Sequence, residues 1–374
     1  MSVEIREVKD KKSLKDFVDL PYRLYKENKF WVPPIKKDEM AALTPEKNPA
    51  FEFTKTKFWV AYKDGECVGR IGALIIQPWI EKEGKKKGRI TRTEFIDDKE
   101  VSSLLFKTAE EWLKSEGMES VHGPLGFSNL DHQGVLVEGQ DWLPSVFSDY
   151  HFEYYHKHFE ELGYEKEVDW LEFRITFPEK LPEKSIKVAN MILKRYGLKI
   201  VLFENKKELE PYKKMIIDLF NDAFAELFGT YPLNQSMKQF YIDKYFPILN
   251  PKFVKVILGK DDEIYGFIIA MPSLSKAMQK AGGKVFPFGW WHIMQALKHP
   301  QEMDLVLTGV KPEYQKLGIA ALLTNELWKT ANDAGIQFVE TTGMLENNHV
   351  AIQMWKSYEH IQHKRKRCYM KELK

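Results

Sequence analysis

The sequence predicts an α/β protein with two similar halves, each a mixed, mostly antiparallel sheet flanked by helices. Segments with strand and helix periodicity alternate along the chain, and the second half repeats the order of the first. The length of 374 residues is sufficient for two domains. A stretch rich in proline and charge, FPEKLPEK, interrupts the pattern near the midpoint. We therefore predict domains at 1–178 and 179–374, the second with an insertion at 272–301.

The elements of the first half follow from periodicity and turn residues. Asp64-Gly65 predicts the turn of a hairpin in FWVAYKDGECVGRIGALI, and Gly117 predicts the end of an amphipathic helix. Pro21 should end or bend the first helix. In order, we predict a strand at 3–8, a helix at 13–24, a Pro-rich irregular segment, the hairpin, a strand at 88–96, a helix at 102–114, a strand in 118–127, a helix closed by Gly163 and a strand at 168–177.

The second half repeats this order around an aromatic insertion. A second hairpin, FVKVILGKDDEIYGFIIAM, turns at Asp261-Asp262. The insertion contains Phe286, Phe288, Trp290 and Trp291, which we expect either to pack across the two domains or to form the wall of an acceptor pocket. The other predicted elements are helices at 186–196, 212–227, 236–246, 318–335 and 349–359, and strands at 198–203, 304–310, 336–343 and 361–373.

The composition excludes several classes of protein. Lys and Arg number 56 and Asp and Glu 54, which gives a net charge of +2, and apolar residues make up 44% of the chain. This balance is typical of a globular protein and argues against a nucleic-acid partner. Cys67 and Cys368 form neither a disulfide framework nor a zinc-ligand cluster, so we expect a cytoplasmic protein without a metal site.

The apolar segments predict no membrane partner. The longest uninterrupted runs, such as 267–271, are far shorter than the about 20 residues that cross a bilayer. The N-terminal segment is charged from its fourth residue and lacks the apolar core of an export signal. We therefore expect neither a membrane anchor nor export.

The turn after the strand at 304–310 carries the most informative motif, Gln315-x-x-Gly318-x-Ala320. Small residues there let the backbone approach a ligand closely. The unpaired amides of the following helix point outward, and the positive end of the helix dipole lies behind them. This arrangement suits a pyrophosphate.

This motif resembles the acyl-CoA loop of the GCN5-related N-acetyltransferase (GNAT) superfamily, which has the form Gln/Arg-x-x-Gly-x-Gly/Ala. The matching segment is VKPEYQKLGIAALL. LENNHVAIQMW is similar to the segment in which an Asn begins the helix after the fifth strand, and EYYHKHFEELGY in the first half is similar to the late helix of the family. The resemblance covers both halves and implies two tandem GNAT-like domains.

The two halves differ at the position of the acyl-CoA loop. The first half reads FIDDKEV, without glycine, and its Asp97, Asp98 and Glu100 would repel phosphate. The resemblance therefore implies that only the C-terminal half binds acetyl-CoA or another acyl-CoA. The first copy is then degenerate, and is either structural or shapes the acceptor pocket through GPLGFSN.

The resemblance also implies which residues hold the cofactor, between splayed strands at 304–310 and 337–343. The backbone amides of Gly309 and Val310 would face the thioester. The amides of Leu317, Gly318, Ile319, Ala320 and Ala321 would cradle the phosphates, with the Gln315 side chain closing the cradle. Asn347 or Asn348 would bind the pantetheine arm.

Candidates for proton transfer lie in the same half. Glu340, on the strand after the cofactor helix, is a candidate general base, and the alternative is a solvated carboxylate at a sheet edge. The family often places an acidic Tyr in the late helix, but the aligned position here is Trp355. Tyr358 lies almost one turn further on and is the candidate acid.

The predicted function is direct transfer of an acyl group from acyl-CoA to an amine of a small molecule or peptide in a ternary complex. One alternative is a CoA-binding or regulatory module without catalysis, which Trp355 favours. A second is an aminoacyl transferase resembling the peptidoglycan-bridge enzymes, and the near-neutral net charge argues against it. The sequence specifies neither the acceptor nor the oligomeric state.

Overall fold

The computed structural model describes residues 2–374. Its contacts divide the chain into two compact units, which are described separately. Unit 1 comprises residues 2–171, Ser275–His292 and His363–Lys374, and unit 2 comprises Glu172–Leu274 and Ile293–Gln362. The division after Leu171 differs from the predicted boundary at 178, and two segments predicted for the second domain group with unit 1.

Unit 1 begins with a helix whose start the sequence specifies, because Asp10 and Ser13 form a capping box. This helix continues past Pro21 to Leu24. The elements that begin in the N-terminal part of the chain are β1 (Glu4–Glu7), α1 (Lys11–Leu24), α2 (Lys36–Ala42), β2 (Thr54–Lys63), β3 (Glu66–Ile76), α3 (Gln77–Glu83), β4 (Lys87–Phe95), α4 (Lys99–Ser115), β5 (Ser120–Gly123), β6 (Val135–Glu138), α5 (Tyr154–Glu161) and β7 (Glu165–Thr176).

The elements in the rest of the chain follow the predicted order with added short helices. They are α6 (Glu183–Tyr196), β8 (Lys199–Leu202), α7 (Lys206–Leu209), α8 (Lys213–Ala223), α9 (Gln235–Tyr245), β9 (Val254–Leu258), β10 (Ile264–Pro272), α10 (Ser275–Ala281), α11 (Gly289–Lys298), β11 (Glu302–Val310), α12 (Ile319–Asp333), β12 (Phe338–Thr341), β13 (Met344–Leu345), α13 (His349–Gln353) and β14 (Glu359–Glu372). The helix predicted at 349–359 is therefore shorter than expected and continues as a 3₁₀ turn.

The sheet of unit 1 has the order β1-β2-β3-β4-β5-β14, and only β4 and β5 are parallel in it. The predicted β2–β3 hairpin turns at Asp64 and Gly65, both with positive φ. Val101, Leu105 and Leu113 of α4 are buried against the sheet. Gly69 permits this contact, because a Cβ there would lie 2.6 Å from Leu105.

Two segments from the predicted second domain pack within unit 1 for specific reasons. The end of β14 pairs with β5 from Tyr369 to Glu372 and with β6 from Arg365 to Arg367. In the insertion, Ser275 Oγ donates to the Pro144 carbonyl (2.6 Å), and Gln279 donates to the Lys29 carbonyl (2.8 Å). Long-range contacts of this kind leave no local signal in the sequence.

The sheet of unit 2 has the order β7-β12-β11-β10-β9-β8. Its strands β11 and β12 are parallel, and the other neighbours are antiparallel. The apolar face of α12 is buried as predicted, with Ile319, Leu322, Leu323, Leu327 and Ala331 each at most 1% exposed. No helix among residues 2–374 combines the length and apolar character needed to span a membrane.

Candidate active site

A bulge in β11 opens a gap in the sheet of unit 2. The parallel ladder between β11 and β12 runs from Glu302↔Phe338 to Leu305↔Thr341. On its other side, Leu305 pairs with Ala270 and Leu307 pairs with Ile269, so Val306 is the extra residue of a bulge. Beyond the bulge β11 continues to Val310 beside β10 alone, as far as the described residues show. The predicted separation of the two strands is therefore present in this unit.

Thr342 closes the narrow end of this gap. Its amide donates to the Leu305 carbonyl (3.2 Å), and its hydroxyl donates to the Val306 carbonyl (3.1 Å). These two bonds satisfy carbonyls that the ladder would otherwise leave unpaired. The separation therefore begins at a defined residue.

The orientation of the β11 amides decides which of them face the gap. The Lys311 amide donates to the Tyr265 carbonyl of β10 (2.9 Å). Because successive amides in a strand alternate in direction, those of Val310 and Thr308 point toward the gap, whereas that of Gly309 points toward β10. Gly309 instead serves packing, since a Cβ there would lie 2.5 Å from the Phe267 ring. The sequence analysis did not predict a role for the Thr308 amide, because a bulge leaves no recognisable pattern in the neighbouring sequence.

The start of α12 presents unpaired backbone amides. A 3₁₀ turn at Pro312–Leu317 leads to Gly318, whose φ of 78° is left-handed. The first α-helical bond runs from the Leu322 amide to the Gly318 carbonyl (3.1 Å), and no side chain caps the helix. Within residues 2–374, the amides from Gly318 to Ala321 donate no hydrogen bond. Four of the five predicted cradle amides are thus available, and Leu317 lies inside the 3₁₀ turn.

Apolar side chains pack against the start of α12, and Gln315 beside it is exposed to solvent. Ile319 packs under the start, where Gly266 leaves room because a Cβ there would lie 2.7 Å from Ile319. The side chain of Ile192, on α6, contacts Gly318, and a Cβ on Gly318 would lie 2.9 Å from it. Gln315 is exposed at the edge of the turn.

Glu340 is buried, which contradicts the alternative of a solvated edge carboxylate. It is 8% exposed and lies on β12 between Asp304 of β11 and Arg174 of β7. A carboxylate oxygen of Glu172 lies within 4.8 Å of its own. Glu340 is therefore one residue before the gap, among other buried carboxylates.

Trp355 and Tyr358 lie after the short helix α13. Trp355 is 1% exposed, and its indole N–H has no hydrogen-bond partner in the described part of the chain. The Tyr358 ring lies 6.1 Å from the Trp355 ring and 5.8 Å from that of Phe177. Burial raises the pKa of the Tyr358 hydroxyl, which keeps it protonated, as a general acid must be.

The Asn doublet divides its roles at the start of α13. The Asn348 side chain accepts from the Ala351 amide (3.2 Å) and so caps the helix. Asn347 is exposed and faces solvent. Of the two predicted pantetheine contacts, Asn347 is the one whose side chain is not engaged in capping.

Unit 1 contains the same kind of bulge without an open helix start. Its parallel ladder runs from Lys87↔Ser120 to Arg89↔His122, and the register of β4 with β3 shifts around Arg92, whose φ is +48°. The following helix α4 is capped by Asp98, which accepts from the amides of Glu100 (2.9 Å) and Val101 (3.3 Å).

Comparison with solved structures identifies this arrangement. A tandem GNAT protein from the clavulanic acid biosynthesis pathway superposes with a TM-score of 0.58 at 12% identity, covering 100% of this chain and 99% of that one. A GCN5-related N-acetyltransferase from Sphaerobacter thermophilus gives 0.53 at 11% identity, covering 100% and 96%. The chain has the GNAT fold. The predicted fold class is confirmed.

Sequence relatives extend over the same length. The chain is 29% identical to Protein YghO of Escherichia coli (strain K12) over 380 residues, which is 99% of this chain and 95% of that protein. It is 27% identical to the bacterial ceramide synthase of Caulobacter vibrioides over 376 residues, covering 98% and 96%. No family model matches the chain.

Charged residues lie around the bulge of unit 1. The sequence analysis did not identify them. Glu94 is buried and accepts from the hydroxyls of Tyr25 and Tyr155, both at 2.6 Å. Burial raises the pKa of the Glu94 carboxyl to about 7. Nearby, His132 Nδ1 donates to Asp149 Oδ1 (2.5 Å). These residues are far apart in sequence, and only the fold brings them together.

One further group of unit 1 has metal-type donors. His122, Glu167 and Cys368 bring ligand atoms within 4.8 Å of one another. Lys87 already forms an ion pair with Glu167 (2.5 Å), and burial raises the pKa of the Cys368 thiol. A cation would have to displace that ammonium and deprotonate the thiol, so we assign the group to packing.

Proposed function

We propose that the protein is an acyl-CoA-dependent N-acyltransferase that transfers the acyl group directly to an amine in a ternary complex. The observation that carries the proposal is a strand gap at Val306 directly followed by a helix start with unpaired amides. This combination provides one place for a thioester and another for a diphosphate. The GNAT fold and the relative named as a ceramide synthase support acyl transfer in general.

The acyl-CoA diphosphate would bind the amides from Gly318 to Ala321, with the Gln315 side chain at the edge. The positive end of the α12 dipole favours an anion there. The thioester carbonyl would face the amides of Val310 and Thr308. A backbone donor aimed at a developing oxyanion contributes about 3–4 kcal/mol.

Binding of the diphosphate requires the Ile192 side chain to leave the surface of Gly318. None of the residues of α6 is buried, so packing holds this helix weakly. We therefore propose that α6 shifts when acyl-CoA binds. Ile192→Ala should then bind acetyl-CoA several-fold more tightly than the wild type.

In the transfer step, the amine nitrogen attacks the thioester carbonyl, the C–S bond breaks, and the CoA thiolate leaves with the electron pair. Positioning of the two reactants supplies much of the rate gain. Tyr358 is the proposed acid toward the thiolate. Glu340 is the proton acceptor predicted within unit 2, although its burial restricts access to an amine.

The acceptor is proposed from one relative. Ceramide is the amide of a long-chain amino alcohol, so the name of the Caulobacter relative favours a long-chain primary amine here. We also propose a cytoplasmic location, which the two free, buried cysteines support.

The proposal is tested with purified protein, acetyl-CoA or palmitoyl-CoA as donor, and sphinganine as probe acceptor. We expect free thiol and the N-acylated product by mass spectrometry, and calorimetric binding of at least one donor. Absence of binding of either donor to the wild type would contradict the cofactor assignment.

A second candidate is a CoA-binding module without catalysis. The observation that favours it is Trp355 at the position where the family places Tyr. Donor binding without thiol release, with sphinganine and a panel of other amines, would support this module.

A further inference from the structure

The part of the insertion that lies in unit 1 carries an exposed aromatic surface. Phe286, Phe288, Trp290 and Trp291 are 75%, 73%, 48% and 50% exposed, so the expectation that these rings are packed is wrong. Every other Phe and Trp among residues 2–374 is buried or half-buried. Large apolar rings exposed together mark a surface that contacts another molecule. We call residues 286–291 the aromatic segment.

The backbone that carries these rings is held by other parts of unit 1. The Trp290 amide donates to the Val285 carbonyl (2.7 Å), and the Gly283 carbonyl accepts from the Lys36 amide (3.1 Å). Gly283 also lies against the Tyr22 ring, because a Cβ there would lie 2.3 Å from that ring. Hydrogen bonds on both sides therefore fix the backbone of the aromatic segment while its rings remain exposed.

The lysines next to the aromatic segment carry charge that the protein does not compensate. Residues 275–292 contain Lys276, Lys280 and Lys284, and neither Asp nor Glu. All three lysines are exposed, and none forms an ion pair or a side-chain hydrogen bond among residues 2–374. The net charge of the whole chain is only +2. The insertion therefore places three free positive charges beside apolar rings.

The segment against which the insertion packs does not cancel this charge. Gln279 donates to the Lys29 carbonyl (2.8 Å), which joins the insertion to residues 26–38. These residues contain four lysines against two acidic residues. Asp19, which pairs with Lys36 (2.6 Å), reduces the surplus but does not reverse it. The positive charge of the insertion therefore extends to its neighbour in unit 1.

This charge favours one kind of molecule as the occupant of the surface. In a two-fold dimer formed through the aromatic segment, the same lysines of both copies would approach each other and repel. A bilayer that contains anionic lipids supplies an apolar layer for the rings and negative headgroups for the lysines. Exposed Trp and Phe beside Lys are typical of segments that enter the interface of a bilayer.

We infer that the aromatic segment inserts into the interface of an anionic bilayer, with Lys276, Lys280 and Lys284 at the lipid headgroups. Interfacial segments of this kind bury their apolar side chains about 5–10 Å deep and need no spanning helix. The expectation of no membrane partner considered only spanning segments and an export signal, so it did not address this surface. The inference is independent of the proposed acyl transfer.

The first test is co-sedimentation of the full chain with vesicles of phosphatidylcholine alone or mixed with phosphatidylglycerol. We expect binding to the mixed vesicles that weakens at least 10-fold when salt is raised to about 1 M, where charges are screened beyond about 3 Å. Trp290→Ser/Trp291→Ser should bind at least 10-fold more weakly. Lys280→Gln/Lys284→Gln should also lose about 10-fold or more, because each lysine near an anionic surface contributes roughly fivefold.

Two variants are matched controls for the loss of an apolar side chain and for the loss of charge. Val350→Ser removes an apolar side chain that is 74% exposed. Lys11→Gln/Lys12→Gln removes two exposed lysines at the start of α1. Both should bind the mixed vesicles as the wild type does. All the substituted residues are exposed, so thermal unfolding should show that every variant is folded.

A second test separates insertion from adsorption by charge alone. Lipids brominated on their acyl chains quench the fluorescence of tryptophan that enters the bilayer, so we expect quenching of the wild type by mixed vesicles. Trp290→Phe/Trp291→Phe keeps two aromatic rings and should bind within a few-fold of the wild type, but without the quenching. Quenching that persists in this variant would show that other tryptophans contact the lipid and would overturn the inference.

Three further outcomes would overturn the inference. They are absence of wild-type binding to the mixed vesicles, equal loss of binding in the control variants, and unchanged binding by Trp290→Ser/Trp291→Ser. A dimer in solution, or a complex with a single-stranded oligonucleotide, that this Trp variant abolishes would assign the aromatic segment to that partner instead of a bilayer.

Discussion

The two helices that follow the bulged strands differ at the residue that begins each helix. Helix α12 of unit 2 begins at Gly318 with no side-chain cap, whereas α4 of unit 1 begins at Asp98, whose carboxylate occupies two amides. Both helices follow a strand that separates from its parallel neighbour. Both units thus contain a bulged strand followed by a helix, but only the helix of unit 2 begins, within the described residues, with the unpaired amides that we propose hold a diphosphate.

The bulges themselves also differ in chemistry. The extra residue of unit 2 is Val306, whereas the corresponding region of unit 1 contains Arg92 in a left-handed conformation and the buried Glu94. A non-glycine residue with positive φ costs free energy and persists only where its surroundings enforce it. Unit 1 therefore has charged residues at its bulge, where unit 2 has the apolar Val306.

The largest expected effect comes from Gly318→Trp, which should weaken acetyl-CoA binding more than 100-fold in calorimetry. The indole would cover the free amides and collide with Ile192. Gly335→Trp is the matched control, because Gly335 has a similar φ of 73° at the other end of α12 but open space around it. Equal losses in both variants would show that helix strain, and not access, is measured.

Glu94→Gln should change the pH dependence of stability by about 2 kcal/mol between pH 5 and pH 8. The folded-state pKa of about 7 lies above the unfolded value, so the folded state binds the extra proton and wild-type stability falls as pH rises from about 4.5 to about 7. The variant should not show this fall in urea denaturation. Glu46→Gln, at an exposed carboxyl, should leave it unchanged.

Gly318→Asp places a carboxylate at the start of α12, as Asp98 does at the start of α4, and should weaken acetyl-CoA binding about 10-fold. The carboxylate would repel the diphosphate and compete with it for the positive end of the helix dipole. Gly318→Asn has nearly the same shape without charge and should lose less affinity. If the Asn variant loses as much as the Asp variant, the charge of the carboxylate does not explain the loss of affinity.

Asp98→Ala should lower the free energy of unfolding by about 1 kcal/mol at pH 7, as is usual for loss of a helix cap. The hydrogen bond from Lys63 and the two amide bonds hold the pKa of Asp98 below its usual value. The stabilisation is therefore present above the unfolded pKa and lost as pH falls through the lower folded one. Urea denaturation should show wild type and variant converging at acidic pH, and a constant difference would contradict this origin.

The sequence was sufficient to predict features that depend only on residues close together in the chain. The strand, Gly-bearing turn and amphipathic face around Gly318 lie within one short segment, so periodicity and turn chemistry predicted them. The bulge at Val306 could not be predicted, because it depends on how β11 pairs with β10 on one side and with β12 on the other. The His132–Asp149 pair and the exposure of Phe286 depend on tertiary contacts in the same way.

The pairing of β14 with β5 has a consequence for biosynthesis. In the sheet of unit 1, β14 is translated long after its neighbour β5. The edge of β5 therefore lacks this hydrogen-bonding partner until most of the chain has been synthesised. A fragment that stops at residue 178 would keep that edge exposed and should aggregate. Any affinity tag fused after Lys374 would sit next to the last hydrogen bonds that complete the sheet.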